Sequence, residues 1–186
     1  MPHVEVNGYK VDVEIMQDVL HAMMVNRPLL LVGPVGSGKL VLAQIIGKIR
    51  GGAFRAPHHT VSQHGMFGNT TPHKEYPGEV DLAKGGVLLL DEFPEFRRGV
   101  VARLGEQHQA EQFAAEPTYL PVFTSASCPC GFLGHHSRKC ACSTDAKKRF
   151  TNRLNEYLGF FPAADRIYVG SASPDYSRVI PSPFAA

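Results

Sequence analysis

Apolar and polar residues alternate through "VEVNGYKVD" (residues 4–12) on either side of Asn7-Gly8, a pattern that predicts a β-hairpin. The period then changes. From Val13 to Met24 the apolar residues Ile15, Met16, Val19, Leu20 and Met23 recur at helical spacing, and Asn26-Arg27-Pro28 stops the helix. Leu29–Val32 is a continuous apolar run, as expected of a strand buried on both faces. "KLVLAQIIGKI" reads as the helix that follows it, ended by Gly51-Gly52. Val87–Leu90 is a second buried strand, "EFRRGVVARLGEQHQ" an amphipathic helix, and "YLPVFTSAS" a third strand. "STDAKKRFTNRLNEYL" is a basic helix with a Ser/Thr/Asp start. Strands alternating with helices predict a three-layer α/β fold around a mostly parallel sheet.

Two segments resist this reading. Residues 54–79 mix histidine, proline and glycine with little periodicity, which predicts a long functional loop or insertion with room for a short hairpin. The Pro/Ser-rich stretch 171–186 reads as a poorly ordered tail.

Composition narrows the class. A chain of 186 residues with 44% hydrophobic and 19% charged residues suits one globular domain with an adequate core. A net charge of +2 is too mild to argue nucleic-acid binding by itself. No segment has the apolar length of a membrane span, and the N-terminus lacks signal-peptide features, so the expectation is a cytoplasmic protein.

The chemistry concentrates after the first buried strand. "GPVGSGKL" meets the phosphate-loop pattern at Gly33, Gly38 and Lys39, with Pro34, Val35, Gly36 and Ser37 between. Leu40 stands where the pattern has a hydroxyl. Strand, glycine turn and helix are the required context: the N–H groups from Val35 to Lys39 would cradle phosphates at a helix N-terminus, and Lys39 would reach their outer oxygens. The plainer alternative is a glycine-rich turn with an incidental lysine. The second buried strand ends in Asp91-Glu92, as a Walker B element does. There Asp91 would hold Mg²⁺ and Glu92 would act as general base toward water.

Four cysteines fall close together as Cys128-Pro-Cys130 and Cys140-Ala-Cys142. Four thiolates could close a structural Zn²⁺ site, with His135 or His136 replacing a sulfur if the tight C-x-C spacing strains it. Free thiols come next, and a disulfide pair last. His58-His59 suggest a structural or subunit-contact role. "HGMFGN" places Met66 and Phe67 either on an exposed pore loop or tucked into the core.

"FRAPHHT" (54–60), "PGEVDLAKGGVLLLDEFPEFRR" (77–98) and "CPCGFLG" (128–134) resemble the magnesium-chelatase-like AAA+ ATPases, and within them the competence-associated branch of DNA branch-migration helicases. The resemblance runs over about residues 13–170. It implies an AAA+ core, ring assembly and ATP-driven work on DNA. It also implies an in-trans arginine finger, which "ADRI" places at Arg166. Four features depart from the family's pattern. Leu40 replaces the Mg²⁺-binding hydroxyl, and Ala126 falls where the family's sensor Asn stands, between Ser125 and Ser127. The helical lid and the N-terminal protease-like domain of longer relatives find no counterpart. The resulting expectation is an ATP-binding module with weakened hydrolysis. The rivals are a non-catalytic module that assembles with full-length partners, and a chelatase-type motor.

Overall fold

In the computed structural model, residues 3–6, 9–71, 74–111 and 118–170 are described. The chain opens with β1 (His3–Val6) and β2 (Tyr9–Asp12), which pair antiparallel with Val6 opposite Tyr9. The tip at Asn7-Gly8 lies outside the described residues, as does the 171–186 tail. Helix α1 (Val13–Met24) follows at once, because the Asp12 carboxylate accepts the Glu14 N–H at 2.9 Å and caps it. Its Met16, Val19, Ala22 and Met23 are buried, and Asn26 at φ 48° breaks its continuation.

Five parallel strands form the central sheet, in the order β4 (Phe54–Arg55), β7 (Val87–Leu90), β8 (Leu120–Ser125), β3 (Leu29–Val32), β9 (Asp165–Tyr168). Strand alternation divides the core in two. Leu29, Leu31, Val87, Leu89, Leu120 and Val122 face α1 and α2 (Lys39–Arg50). Leu30, Val32, Leu88, Leu90 and Phe123 face the opposite way, toward α5 (Arg98–Glu111) and α6 (Thr144–Leu158). Both faces are covered, which is why these strands are continuous apolar runs. Phe93 stacks on Phe123 at the centre of the second layer, Phe161 packs tilted against Phe123, and the buried Tyr157 hydroxyl donates to the Phe96 carbonyl at 2.8 Å.

The 54–79 insertion is more structured than its sequence predicts. Its first residues form the edge strand β4, pairing Phe54 with Val87 and Arg55 with Leu88. Helix α3 (Gln63–Phe67) is capped by Ser62, whose hydroxyl accepts the Gly65 N–H at 3.0 Å. A hairpin of β5 (Asn69–Thr71) and β6 (Lys74–Tyr76) precedes the single turn α4 (Glu79–Leu82). Arg55 grips Glu79 with two bonds of 2.7 and 2.9 Å and ties α4 to the edge strand. Met66 is fully buried, Phe67 packs on the core, and the Arg103 guanidinium lies 4.3 Å from the Phe67 ring centre. The exposed pore-loop reading of these two residues therefore fails, and the tucked alternative holds. The predicted start of α5 at Glu95 also moves, because Phe93–Glu95 form a 3₁₀ turn and Phe96 is extended.

Candidate functional site

Strands β3, β7 and β8 run parallel, so the segments that leave them emerge at the same edge of the sheet. The phosphate-loop residues follow β3, Asp91-Glu92 follow β7, and the cysteine segment follows β8. Sheets of this kind bind ligands at the carboxyl ends of their strands, where the crossover direction reverses. Here the chain leaves β3 toward β4 on one side and leaves β8 toward β9 on the other.

The phosphate loop is fixed from behind and open in front. A Cβ on Gly33 would lie 2.0 Å from the Val169 carbonyl oxygen, so only glycine fits there. Gly36 and Gly38 adopt φ of 76° and 88° with nothing within 4 Å of where a Cβ would be. The Val35 N–H donates to the Gly131 carbonyl at 2.8 Å and the Ser37 N–H to the Pro34 carbonyl at 3.2 Å, which removes both from the predicted cradle and leaves the amides of Gly36, Gly38 and Lys39. Lys39 folds back on the loop and donates to the carbonyls of Gly33 and Pro34, each at 2.8 Å, with Ser37 Oγ at 3.5 Å. Burial lowers the Lys39 pKa, against the opposing pull of Asp91 and then Glu92. Among the described residues it forms no ion pair. Leu40, in the first turn of α2, is 46% exposed at the mouth of the loop.

Opposite lies a carboxylate pair with a feature the sequence did not mark. Thr124, buried on β8, donates its hydroxyl to Asp91 Oδ1 at 2.5 Å and accepts the Glu92 N–H at 3.0 Å. One hydroxyl thus orients both acidic residues. Glu92 sits in the left-handed region, at φ 54° and ψ 49°, an uncommon conformation for a non-glycine residue. Only the β7–β8 register brings Thr124 to this place, so no local signal could have found it. Of the serines flanking Ala126, Ser125 Oγ donates to the Ala126 carbonyl at 3.0 Å, and Ser127 Oγ is buried without a hydrogen-bond partner among the described residues.

Arg166 stands on β9 opposite Leu30, half-buried, with Nη2 donating to Asn155 Oδ1 of α6 at 3.2 Å. Burial lowers its pKa. His58 and His59 lie with ring centres 4.0 Å apart, His58 Nδ1 is 2.9 Å from Thr60 Oγ1, and His59 meets Phe96 edge-on.

The four cysteines converge. All four sulfurs lie within 4.8 Å of one another, and Cys128, Cys130 and Cys140 are separated by 3.5 to 3.7 Å. No disulfide joins them. Burial pushes the Cys128 thiol up to about 12, while Cys130 falls to about 6 through hydrogen bonds from the Phe132 backbone and then Cys142. His135 Nδ1 accepts the N–H groups of Ser137 and Arg138, each at 3.2 Å, and the convergent ligand set consists of sulfur alone.

Residues 46–173 match the family described as magnesium chelatase, subunit ChlI. The chain belongs to the magnesium-chelatase-like family. The match begins after the phosphate loop, so the reading of Gly33–Leu40 rests on their own geometry. The uncharacterized protein YifB of Escherichia coli is 32% identical over 165 residues, which cover 68% of this chain and 32% of YifB. The competence protein ComM of Haemophilus influenzae is 53% identical over 51 residues, 27% of this chain and 10% of ComM. The chain thus spans about a third of YifB and a tenth of ComM. Among solved structures, NtrX of Brucella abortus superposes with a TM-score of 0.57 at 16% identity, over 87% of this chain and 38% of NtrX. Its complex with ATP superposes at 0.52 with 17% identity, over 85% of this chain and 36% of NtrX. These likenesses show the fold, a three-layer α/β arrangement around a parallel sheet as in NtrX. Among the described residues no helix is long and apolar enough to cross a membrane.

Proposed function

We propose that the chain is an ATP-binding AAA+ module that works on DNA as part of a ring, with hydrolysis weakened by the residue at position 40. The observation that carries the nucleotide reading is Lys39. Its ammonium is drawn out of water, bonded only to loop oxygens, and set beside two open glycines of positive φ. Anionic phosphate is the ligand that such a lysine and the N-terminus of α2 would favour together. ATP and Mg²⁺ would supply the phosphoanhydride and the cation that neutralises its oxygens.

The chain's own parts then have distinct tasks. The amides of Gly36, Gly38 and Lys39 bind, and the Lys39 ammonium adds a point charge. Asp91, held by Thr124, would carry the cation, and Glu92 would accept a proton from water. Leu40 offers no ligand to a cation that demands near-octahedral oxygen. Position 126 offers no amide to orient water. Binding is expected to outlast turnover, because the cradle and Lys39 do not depend on either position. The DNA and ring assignments, and Arg166 as a group acting across a subunit boundary, rest on the family and on ComM being a competence protein.

Titration with a fluorescent ATP analogue tests the reading. The parent chain should bind saturably, and Lys39→Ala should weaken binding about 10²-fold through loss of a charge-assisted contact. Equal affinity in the two proteins would remove the site. Gel-shift titration with a four-way DNA junction, with and without nucleotide, tests the DNA assignment separately.

A further inference from the structure

The segment from Ala126 to Ser143 joins β8 to α6 without a helix or strand of its own. What orders it is sulfur. Tetrahedral zinc with Zn–S bonds of about 2.3 Å places its sulfurs about 3.8 Å apart. The cysteine sulfurs stand at 3.5, 3.7 and 3.7 Å, with the fourth inside the same 4.8 Å group. The cross-pair distances match the distance within the first pair, so the thiols form one quartet. The Leu133 N–H donates to Cys128 Sγ at 3.3 Å, the outer hydrogen bond that thiolate metal sites use to orient a ligand.

The same segment touches the phosphate loop at one point. Gly131, next to Cys130, accepts the Val35 N–H at 2.8 Å, and its own N–H donates to the Cys128 carbonyl at 2.9 Å. Position 131 requires glycine twice over. Its φ is 77°, and a Cβ there would lie 2.4 Å from Val35 Cγ2. A ligand of the quartet is thus one hydrogen bond from Gly131, and Gly131 is one from the phosphate loop. We propose that Cys128, Cys130, Cys140 and Cys142 bind one structural zinc ion, and that this ion braces the phosphate loop through the Gly131–Val35 hydrogen bond. The zinc site stands apart from the nucleotide reading; only the affinity measurement below rests on it.

The test uses the full chain purified without a histidine tag. Metal analysis should find one zinc per chain, and Co²⁺ exchanged for it should give the thiolate charge-transfer and visible bands of a tetrahedral sulfur site. Cys140→Ser should abolish both. Hydrogen exchange should show the Val35 amide protected in the zinc-loaded chain and faster after chelation, with the amides of β3 and β8 unchanged. Affinity for the fluorescent ATP analogue should fall about fivefold on chelation, the worth of one net hydrogen bond, and return when Zn²⁺ is restored. If Cys140→Ser does not fold, chelation and reloading of the parent chain give the same measurements. Four freely reacting thiols and no metal would overturn the site. Val35 exchange indifferent to zinc, or loss of the whole helical signal on chelation, would overturn the local brace. If the amide responds but no nucleotide binds in either state, the brace stands and the nucleotide reading falls.

Discussion

The phosphate loop and the cysteine loop leave neighbouring parallel strands at the same end of the sheet, yet they are held by opposite means. The phosphate loop is held by backbone, with Gly33 pressed on Val169, the Lys39 ammonium clasping two carbonyls, and Gly36 and Gly38 left open. The cysteine loop is held by side chains, four sulfurs drawn to one point with the backbone wound around them. A loop with an exchangeable ligand must keep its amides free, so its order has to come from behind. A loop closed around its own side chains can lend order to a neighbour, and Gly131 is where it does so.

The largest expected break in this contrast is Gly33→Ala. The added methyl meets a backbone oxygen that cannot rotate away, so stability should fall by about 3 kcal/mol in urea titrations, and nucleotide binding should go with it. The cobalt spectrum of the cysteine site should persist as long as the chain stays folded. A bleached spectrum in folded Gly33→Ala would mean that the two loops are not held independently.

Thr124→Val should have the next effect. It keeps the shape but leaves the Glu92 N–H without its acceptor and Asp91 without its donor, at a cost of about 2 kcal/mol. Any ATP turnover should drop, while affinity for the fluorescent analogue changes little. Unaltered stability would show that the hydroxyl does not hold the pair.

Leu40→Thr should change stability least, because the side chain is exposed. It places a hydroxyl where the proposed Mg²⁺ site would use one, and should raise ATP turnover about tenfold or more with affinity nearly constant. Steady-state assays need concentrations at which assembly is seen by light scattering. If Leu40→Thr and Ala126→Asn together turn over no faster than the parent, position 40 is not what limits the chain.

Long elements could be read directly from the sequence. Val13–Met24, Leu29–Val32 and Val87–Leu90 match their predicted limits, because period and burial agree along each of them. Residues 54–79 hid their structure, since elements of two to five residues are too short to show a period. The chemical residues Lys39, Asp91 and Glu92 were visible as motifs. Thr124 was not, because its role exists only once two strands are in register, and the same holds for the hydrogen bond between Val35 and Gly131.

The place of β3 in the sheet sets an order on biosynthesis. The strand that launches the phosphate loop leaves the ribosome before its two sheet neighbours, β8 and β9, which are encoded far downstream. The Val32 carbonyl and Gly33 are met by Val169, close to the end of the described chain. Closing loops of that length carries an entropic cost before any pairing rewards it, which makes such topologies slow to fold. A nascent chain therefore carries a complete phosphate-loop sequence long before it carries a phosphate loop. The proposed nucleotide site would become competent only as β9 docks, so a bound nucleotide would report that synthesis has reached that strand and that it is in place.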